Sequence, residues 1–356
     1  MKIAHVNDIA HVPATLAEGL RLRGHTVELF RLKLMGGKLP TWAKVLMLPW
    51  RGGEMRSVNR ELRAGGFDVV HIHFAYLGWA GILGRYPYVL HCHGTDVRRN
   101  LNRFYQRPFI ARSLQQAAQV FFSTPDLAEH ILPVRPDAVW LPNPTNTDRF
   151  CPNGEQAFLS RQDADSTPVP NTARPPRVLF ISALSRIKGV ERAFQMIDLL
   201  QKQMPEAEIV VMGFGDQLPR YRNWPGINVL DRVPYEAMPS LIQSNDVVVG
   251  QLRLGIISMS EQEAMACGKP IVGEFRYPEV YDEPPPILTG DTAEELTGQV
   301  IRLLNDENAR QAAGHRAREW AVKHHDYRLV AGLLESYYES NTHLGAKGER
   351  RGSHAQ

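Results

Sequence analysis

Short, almost uninterrupted apolar runs recur along this chain, each followed by a helix-forming stretch, and they constrain its fold more than any other feature. In the first half they are KIAHV (2–6), TVELF (26–30), VVHIH (69–73), YVLHCH (88–93), VFF (120–122) and AVWL (138–141). In the second half they are RVLFI (177–181), EIVVM (208–212), INVL (227–230), DVVVG (246–250) and PIVG (270–273). A strand with one wet face alternates apolar and polar residues; these runs do not, so both faces are expected to be covered. Amphipathic stretches such as residues 12–23, closed by Gly24, supply the covering helices, and helices dominate from Ala293 to Glu339. The pattern predicts the α/β class, with parallel sheets between helices.

The alternation stops once. Residues 151–176 carry Pro, Ser, Asp and Asn with little apolar content, which reads as a linker or long surface insertion. The expected division is a domain over 1–150, a second over 177–325, a helix over 326–340 that packs back on the first domain, and a disordered tail over 341–356. No apolar run approaches the length of ~18 residues needed to span a bilayer, and the polar, histidine-bearing start does not read as a signal peptide. Cys92, Cys151 and Cys267 lie far apart with no CxxC, which argues for a reducing, cytoplasmic setting and against a disulfide frame or zinc ribbon. The net charge of +3 is uneven: residues 1–165 hold 20 basic against 14 acidic side chains, a surplus of +6, and the rest is net −3. Without an aromatic-interleaved basic stripe, nucleic acid is not an expected partner. Residues 31–63 mix Arg and Lys with Trp42 and Trp50, as either a lip for anionic lipid on the inner membrane face or helices with solvated basic faces.

Open α/β sheets bind ligands beyond the carboxyl ends of their strands. Those ends carry Asn7 and Asp8, then His71 and His73, then His91, His93 and Asp96. Period two places His71 with His73 and His91 with His93 on a face. Two readings follow: four imidazoles for zinc in a metallohydrolase, or His71 and His91 turned into a helix–sheet interface with His93, before Gly94, left for a ligand. In the second half, Arg186 and Lys188 stand on a strand-to-helix turn beside the positive end of a helix dipole, which suits a diphosphate or is a solvated pair. Gly213-Phe214-Gly215 is a Gly-x-Gly turn. Ser258 and Glu261 have capping-box spacing, which leaves Glu263 directed elsewhere on the helix.

Taken in order, RGHTVELF (23–30), FDVVHIHF (67–74), HCHGTD (91–96), LPNPTNTDRFCP (141–152), RIKGVERA (186–193), VVMGFGD (210–216), SLIQSNDVVV (240–249) and EQEAMACGKPIV (261–272) resemble the family-4 type retaining glycosyltransferases. The resemblance covers about residues 1 to 340. It implies two doubly wound Rossmann-like domains facing a cleft, the GT-B fold, the first on the acceptor side and the second binding a nucleotide-sugar donor. It implies retaining, metal-independent transfer of a sugar from a nucleotide-diphosphate donor to an acceptor hydroxyl, with no cofactor. Lys188 matches the lysine on the donor diphosphate, with Arg186 beside it. Glu263 matches the glutamate on the nucleotide ribose, and His93 the histidine near the donor sugar. Gly213, Val233, Ser258, Met259 and Ser260 fall on the donor side, and Asn7, Asp8, His73 and Asp96 on the acceptor side. The acceptor is left open among a saccharide, an aminocyclitol, a lipid-linked acceptor and another small molecule.

The chain departs from the family pattern in three places. Gly255 stands where the first motif glutamate belongs, Ala183 stands for an arginine, and Asn7 to His11 replace a glycine-rich loop. Gly255 keeps a catalytically silent nucleotide-sugar binder as an alternative. Ser258, Ser260 and the backbone of 256–260 are the substitutes expected to hold the sugar.

Overall fold

The computed structural model describes residues 1–32, 46–99, 101, 103–152 and 174–340. Trp42, most of the expected linker and the expected tail lie outside the described residues. Two compact units result: residues 1–144 with the helix Tyr327–Ser340, and residues 145–326.

The first unit holds a parallel sheet of β1 (Lys2–Val6), β2 (Thr26–Phe30), β3 (Val69–His73), β4 (Val89–Cys92), β5 (Gln119–Phe122) and β6 (Val139–Trp140), in the order β2-β1-β3-β4-β5-β6. Successive residues of a strand face opposite sides, and here both sides are buried. Ala4, Val70, Ile72, Leu90 and Val120 pack on the helices Leu48–Ala64 and Arg107–Gln116 through Leu62, Ile110 and Leu114. The other face carries His5, His71, His73, His91 and Phe121, all fully buried. The helix Tyr327–Ser340 covers it, with Tyr338 on His71 and Tyr337 edge-on to Phe121. That helix also packs on the helix Val12–Leu22, where a Cβ at Gly19 would fall 2.6 Å from the Tyr327 carbonyl oxygen.

The second unit holds β7 (Arg177–Phe180), β8 (Glu208–Met212), β9 (Asn228–Leu230), β10 (Val247–Val249), β11 (Ile271–Val272) and β12 (Ile287–Leu288), in the order β12-β11-β10-β7-β8-β9. Val178, Phe180, Val211 and Val249 pack on the helices Val190–Gln203 and Ala293–Asn305. Leu179, Val210, Val248 and Ile271 pack on the opposite face against Ala264, Met265 and Trp320. Both sheets are doubly wound and parallel, as the uninterrupted apolar runs require. The first unit closes at Pro144, ahead of the boundary read at 150, because the next residues are built into the second unit. Thr145 N–H donates to the His325 carbonyl, Thr147 bonds Asp326, and Phe150 is fully buried in the second core.

Candidate active site

In the second sheet the chain leaves β7 for β8 and β9 on one side, and continues through β10, β11 and β12 on the other. The crevice at this reversal, beyond the carboxyl ends of β7 and β10, is where such sheets bind ligands. Only a small cavity of about 10 Å³ lies there, lined by Ser182, Ala183, Leu184, Lys188 and Gly250 and by core residues such as Phe194, Ile197 and Val211. Lys188 ends a short 3-10 turn, Arg186–Lys188, that runs into the helix Val190–Gln203. Its carbonyl accepts the Leu252 N–H at 2.9 Å, which ties this turn to the loop after β10. The buried Ser182 hydroxyl has no hydrogen-bond partner among the described residues. A lysine and an unspent hydroxyl beside the N-terminus of a long helix are groups that suit an anion. Arg186 is placed otherwise: its side chain is 69% exposed and lies 3.5 Å from Glu191.

The turn at Gly213 braces this loop. Leu184 N–H donates to the Phe214 carbonyl at 2.7 Å, and Gln217 N–H to the Leu184 carbonyl at 2.9 Å. Gly215 has φ +124°, and a Cβ there would sit 2.3 Å from the Leu184 carbonyl oxygen, so the approach requires glycine. Val233 is partly buried against the core beside Leu230 and Tyr235.

The helix Met259–Ala266 opens with the capping box expected of Ser258 and Glu261. The buried Glu261 carboxylate accepts the Ser258 N–H at 2.7 Å, the Ser258 hydroxyl at 2.5 Å and the Gln251 N–H at 3.0 Å. Burial pushes its carboxyl up, opposed by the bonds from Ser258, the Lys188 charge and the Gln251 N–H. Ser258 is thus committed to the cap, while Met259 and Ser260 are half-buried in the first turn. Glu263 is buried, its carboxyl accepts no hydrogen bond among the described residues, and desolvation pushes that carboxyl up to about 8. Gly255 has φ +72°, and a Cβ there would meet Arg276 Cγ at 2.7 Å. Its N–H and that of Leu254 donate to Gln251 Oε1, and Gln251 in turn bonds the Glu274 carbonyl at 3.2 Å. A buried glutamine therefore shapes the loop in which a glutamate was expected.

The first sheet reverses between β1 and β3. Asn7 Nδ2 donates to the His73 carbonyl at 3.2 Å across that point, and Arg31 Nε donates to Asp8 at 3.0 Å. Asn7, Ala10 and His11 all have φ between 51° and 76°, so ordinary residues adopt glycine-like backbone in this loop. Asp96 is fully buried and accepts the backbone N–H groups of Ala75, Gly94 and His93 at 2.9, 2.8 and 3.2 Å. Burial pushes its carboxyl up, and those bonds oppose the rise. His93 is half-buried, with Nε2 2.9 Å from His73 Nδ1. His73 Nε2 lies 2.7 Å from Nδ1 of His5, a residue the reading of strand ends missed. The signal was available: His5 stands opposite His71 in the parallel register. His71 and His91 are fully buried at the helix–sheet interface. Desolvation pushes His5 and His93 down to about 3 and holds His71, His73 and His91 well below the usual imidazole range, aided by their neighbours. Two overlapping triads, His5–His71–His73 and His73–His91–His93, each bring one nitrogen per residue within 4.8 Å of the others, close enough to be weighed as metal ligands.

The family model described as Glycosyltransferase Family 4 matches residues 9–149, and the one described as Glycosyl transferases group 1 matches residues 175–306. The chain belongs to these glycosyltransferases. Phosphatidyl-myo-inositol mannosyltransferase of Mycolicibacterium smegmatis is 25% identical to this glycosyltransferase over 371 residues, covering 93% of the chain and 90% of that protein. An uncharacterized glycosyltransferase of Methanocaldococcus jannaschii is 27% identical over 175 residues, covering 46% of the chain and 45% of that protein. Among solved structures, sucrose-phosphate synthase of Thermosynechococcus elongatus aligns with a TM-score of 0.70 at 17% identity, covering 96% of this chain and 98% of that one. Anabaena HepE, in complex with UDP and glucose, aligns with a TM-score of 0.67 at 15% identity, covering 96% of this chain and all of that one. The fold is GT-B, and the glycosyltransferase reading displaces the metallohydrolase one. No described helix of the glycosyltransferase is long and apolar enough to cross a membrane.

Proposed function

We propose that this glycosyltransferase moves a sugar from a nucleotide-diphosphate donor to an acceptor hydroxyl, with retention of anomeric configuration and without a metal ion. The observation that carries the reading is the switch point of the second sheet, where Lys188 and the unpartnered Ser182 hydroxyl stand on the turn into the helix Val190–Gln203. Breaking the bond between sugar and diphosphate places negative charge on the leaving oxygen. A fixed cation and oriented N–H groups stabilise that charge with little reorganisation. The acceptor hydroxyl attacks the anomeric carbon from the side the diphosphate leaves, and its proton passes to the departing phosphate oxygen. This route needs no carboxylate nucleophile. Glu263 then holds ribose hydroxyls of the nucleotide, and His93 contacts the donor sugar. HepE was solved with UDP and glucose and also with UDP-glucose, which supports a nucleoside-diphosphate sugar as donor.

The surplus of +6 over residues 1–165 supports an anionic acceptor or surface on that side, and a relative along most of the chain is named for a phosphatidylinositol acceptor. Three free, buried cysteines fit a cytoplasmic protein working at the inner membrane face. The test is a donor screen by mass spectrometry with several nucleotide sugars and mixed lipid and saccharide acceptors, run with chelator. Product NMR then reads the anomeric configuration. Inversion would overturn the mechanism, and loss of turnover with chelator its metal independence. Donor binding without transfer or hydrolysis would return the silent-binder reading.

A further inference from the structure

The five histidines of the first sheet are not a loose cluster. His5 and His73 have ring centroids 5.0 Å apart and planes 18° apart, yet their facing nitrogens are 2.7 Å apart. His73 and His93 have centroids 5.2 Å apart, planes 30° apart and nitrogens 2.9 Å apart. Nitrogens so much closer than the centroids lie between the rings, so the imidazoles meet edge to edge, each hydrogen bond near its ring plane. His71 and His91 do something else. They stack flat on this row, with centroids 4.3 Å from His73 and 4.2 Å from His93. The row His5–His73–His93 therefore runs from the closed interior, where His5 and His73 are fully buried, to the half-buried His93.

A neutral imidazole has one N–H and one lone pair. Three of them joined by two hydrogen bonds have two proton orders, and fixing one ring fixes all. In the first order His5 Nδ1–H donates to His73 Nε2 and His73 Nδ1–H donates to His93 Nε2. The proton of His93 is then on Nδ1, and His5 Nε2 is a bare lone pair. The second order reverses every bond and leaves an N–H on His5 Nε2. That atom is fully buried and has no partner among the described residues. An orphaned buried N–H is the rarer and costlier defect, which selects the first order. The carboxylate nearest in sequence does not compete: Asp96 bonds the backbone N–H of His93 and not its ring. The ring of His93 thus lacks the carboxylate partner that would stabilise an imidazolium, and has a neutral imidazole instead.

We propose that His5 and His73 are positioning residues that lock His93 as the neutral Nδ1–H tautomer, so that its free nitrogen presents a hydrogen-bond donor to an oxygen of bound substrate and does not act as a base. That the oxygen belongs to the donor sugar rests on the proposed function; the tautomer does not. The His93 ring bonds His73 through Nε2, and among the described residues its Nδ1 makes no hydrogen bond, so the donor is available. A metal ion held by the His73–His91–His93 triad would displace the proton between His73 and His93, so the two arrangements exclude each other.

The full-length protein labelled with 15N-histidine reads this directly, because long-range 1H–15N correlation spectra distinguish Nδ1–H, Nε2–H and doubly protonated rings. At pH 7 the expected result is Nδ1–H for His5, His73 and His93. An Nε2–H or imidazolium form of His93 would overturn the proposal, as would a stoichiometric divalent metal that co-purifies and is lost in His73→Ala. His5→Phe removes the terminal donor, and His93 should lose its single tautomer and show both. His5→Gln returns an N–H to His73 and should restore the Nδ1–H form. A single Nδ1–H form retained in His5→Phe would show that the row does not set it. If the tautomer holds but no nucleotide sugar is turned over, the proposed function fails and the lock stands.

Discussion

Lys188 and Arg186 are two residues apart on one turn, and their surroundings give them different weight. Lys188 lines the switch-point cavity and its charge reaches the buried carboxylate of Glu261. Arg186 is largely in solvent and pairs with Glu191, where screening leaves little net energy. Lys188→Ala is therefore expected to lower kcat by about 10²- to 10³-fold, the loss typical of a fixed oxyanion donor, and Arg186→Ala by roughly tenfold or less. Steady-state kinetics on both variants, with thermal melts to show intact folding, check the order. Equal losses would move the diphosphate contact out to the rim. Glu263→Ala should mainly raise the donor KM, because the proposed ribose contact would be made equally in ground and transition states. An acceptor-only effect would assign that carboxyl another task. Lys188, Glu261 and Glu263 were legible in the sequence because their neighbours in the chain, a strand before and a helix after, say where they stand. His5, Tyr338 and Gln251 were not. Their roles come from strand register, from a helix that returns 267 positions later to bond His71, and from a loop folded around one amide.

At the scale of elements, the loop after β1 is the place where local chemistry and backbone disagree most. Ala10 is exposed and holds φ 51° with no glycine to ease it. Left-handed backbone costs an L-residue roughly 1–2 kcal/mol, and glycine gives back about 0.5–1 through the unfolded chain. Ala10→Gly should therefore stabilise the protein by about 0.5–1 kcal/mol, read as a higher melting temperature, and Ala10→Val should destabilise it. A lower melting temperature for Ala10→Gly would mean that the loop depends on the Ala10 methyl. Most strands were legible as apolar runs because burial on both faces removes the polar alternation. The edge strand Ile287–Leu288 was not, since two residues carry no periodicity. The unit boundary also escaped, because residues 145–150 sit in the second core through Phe150 and through contacts with residues 325 and 326, far along the chain.

Over the whole molecule, the two units bury titratable groups whose effects on stability run in opposite directions with pH. In the first unit the five clustered imidazoles of His5, His71, His73, His91 and His93 are held below the free value of 6.5, His5 and His93 down to about 3. The unfolded chain binds those protons first, so the stability they confer is full above 6.5 and is lost as pH falls from there toward 3. In the second unit Glu263 is raised from 4.5 to about 8. Here the folded state holds the proton longer, so its contribution is full below 4.5 and is lost as pH rises toward 8. Hydrogen exchange on the intact chain, corrected for the intrinsic effect of pH on exchange, should therefore separate the units. Between pH 7 and pH 5, protection should fall in β1, β3 and β4. Between pH 5 and pH 8, it should fall in the helix Met259–Ala266 and the strands beside it. Glu263→Gln cannot ionise, so it should abolish the second trend and leave the first, while Tyr338→Phe, which takes the hydroxyl from His71, should alter only the first. If both units lost protection in the same pH range, or if Glu263→Gln changed neither, the buried groups would not be what couples this fold to pH.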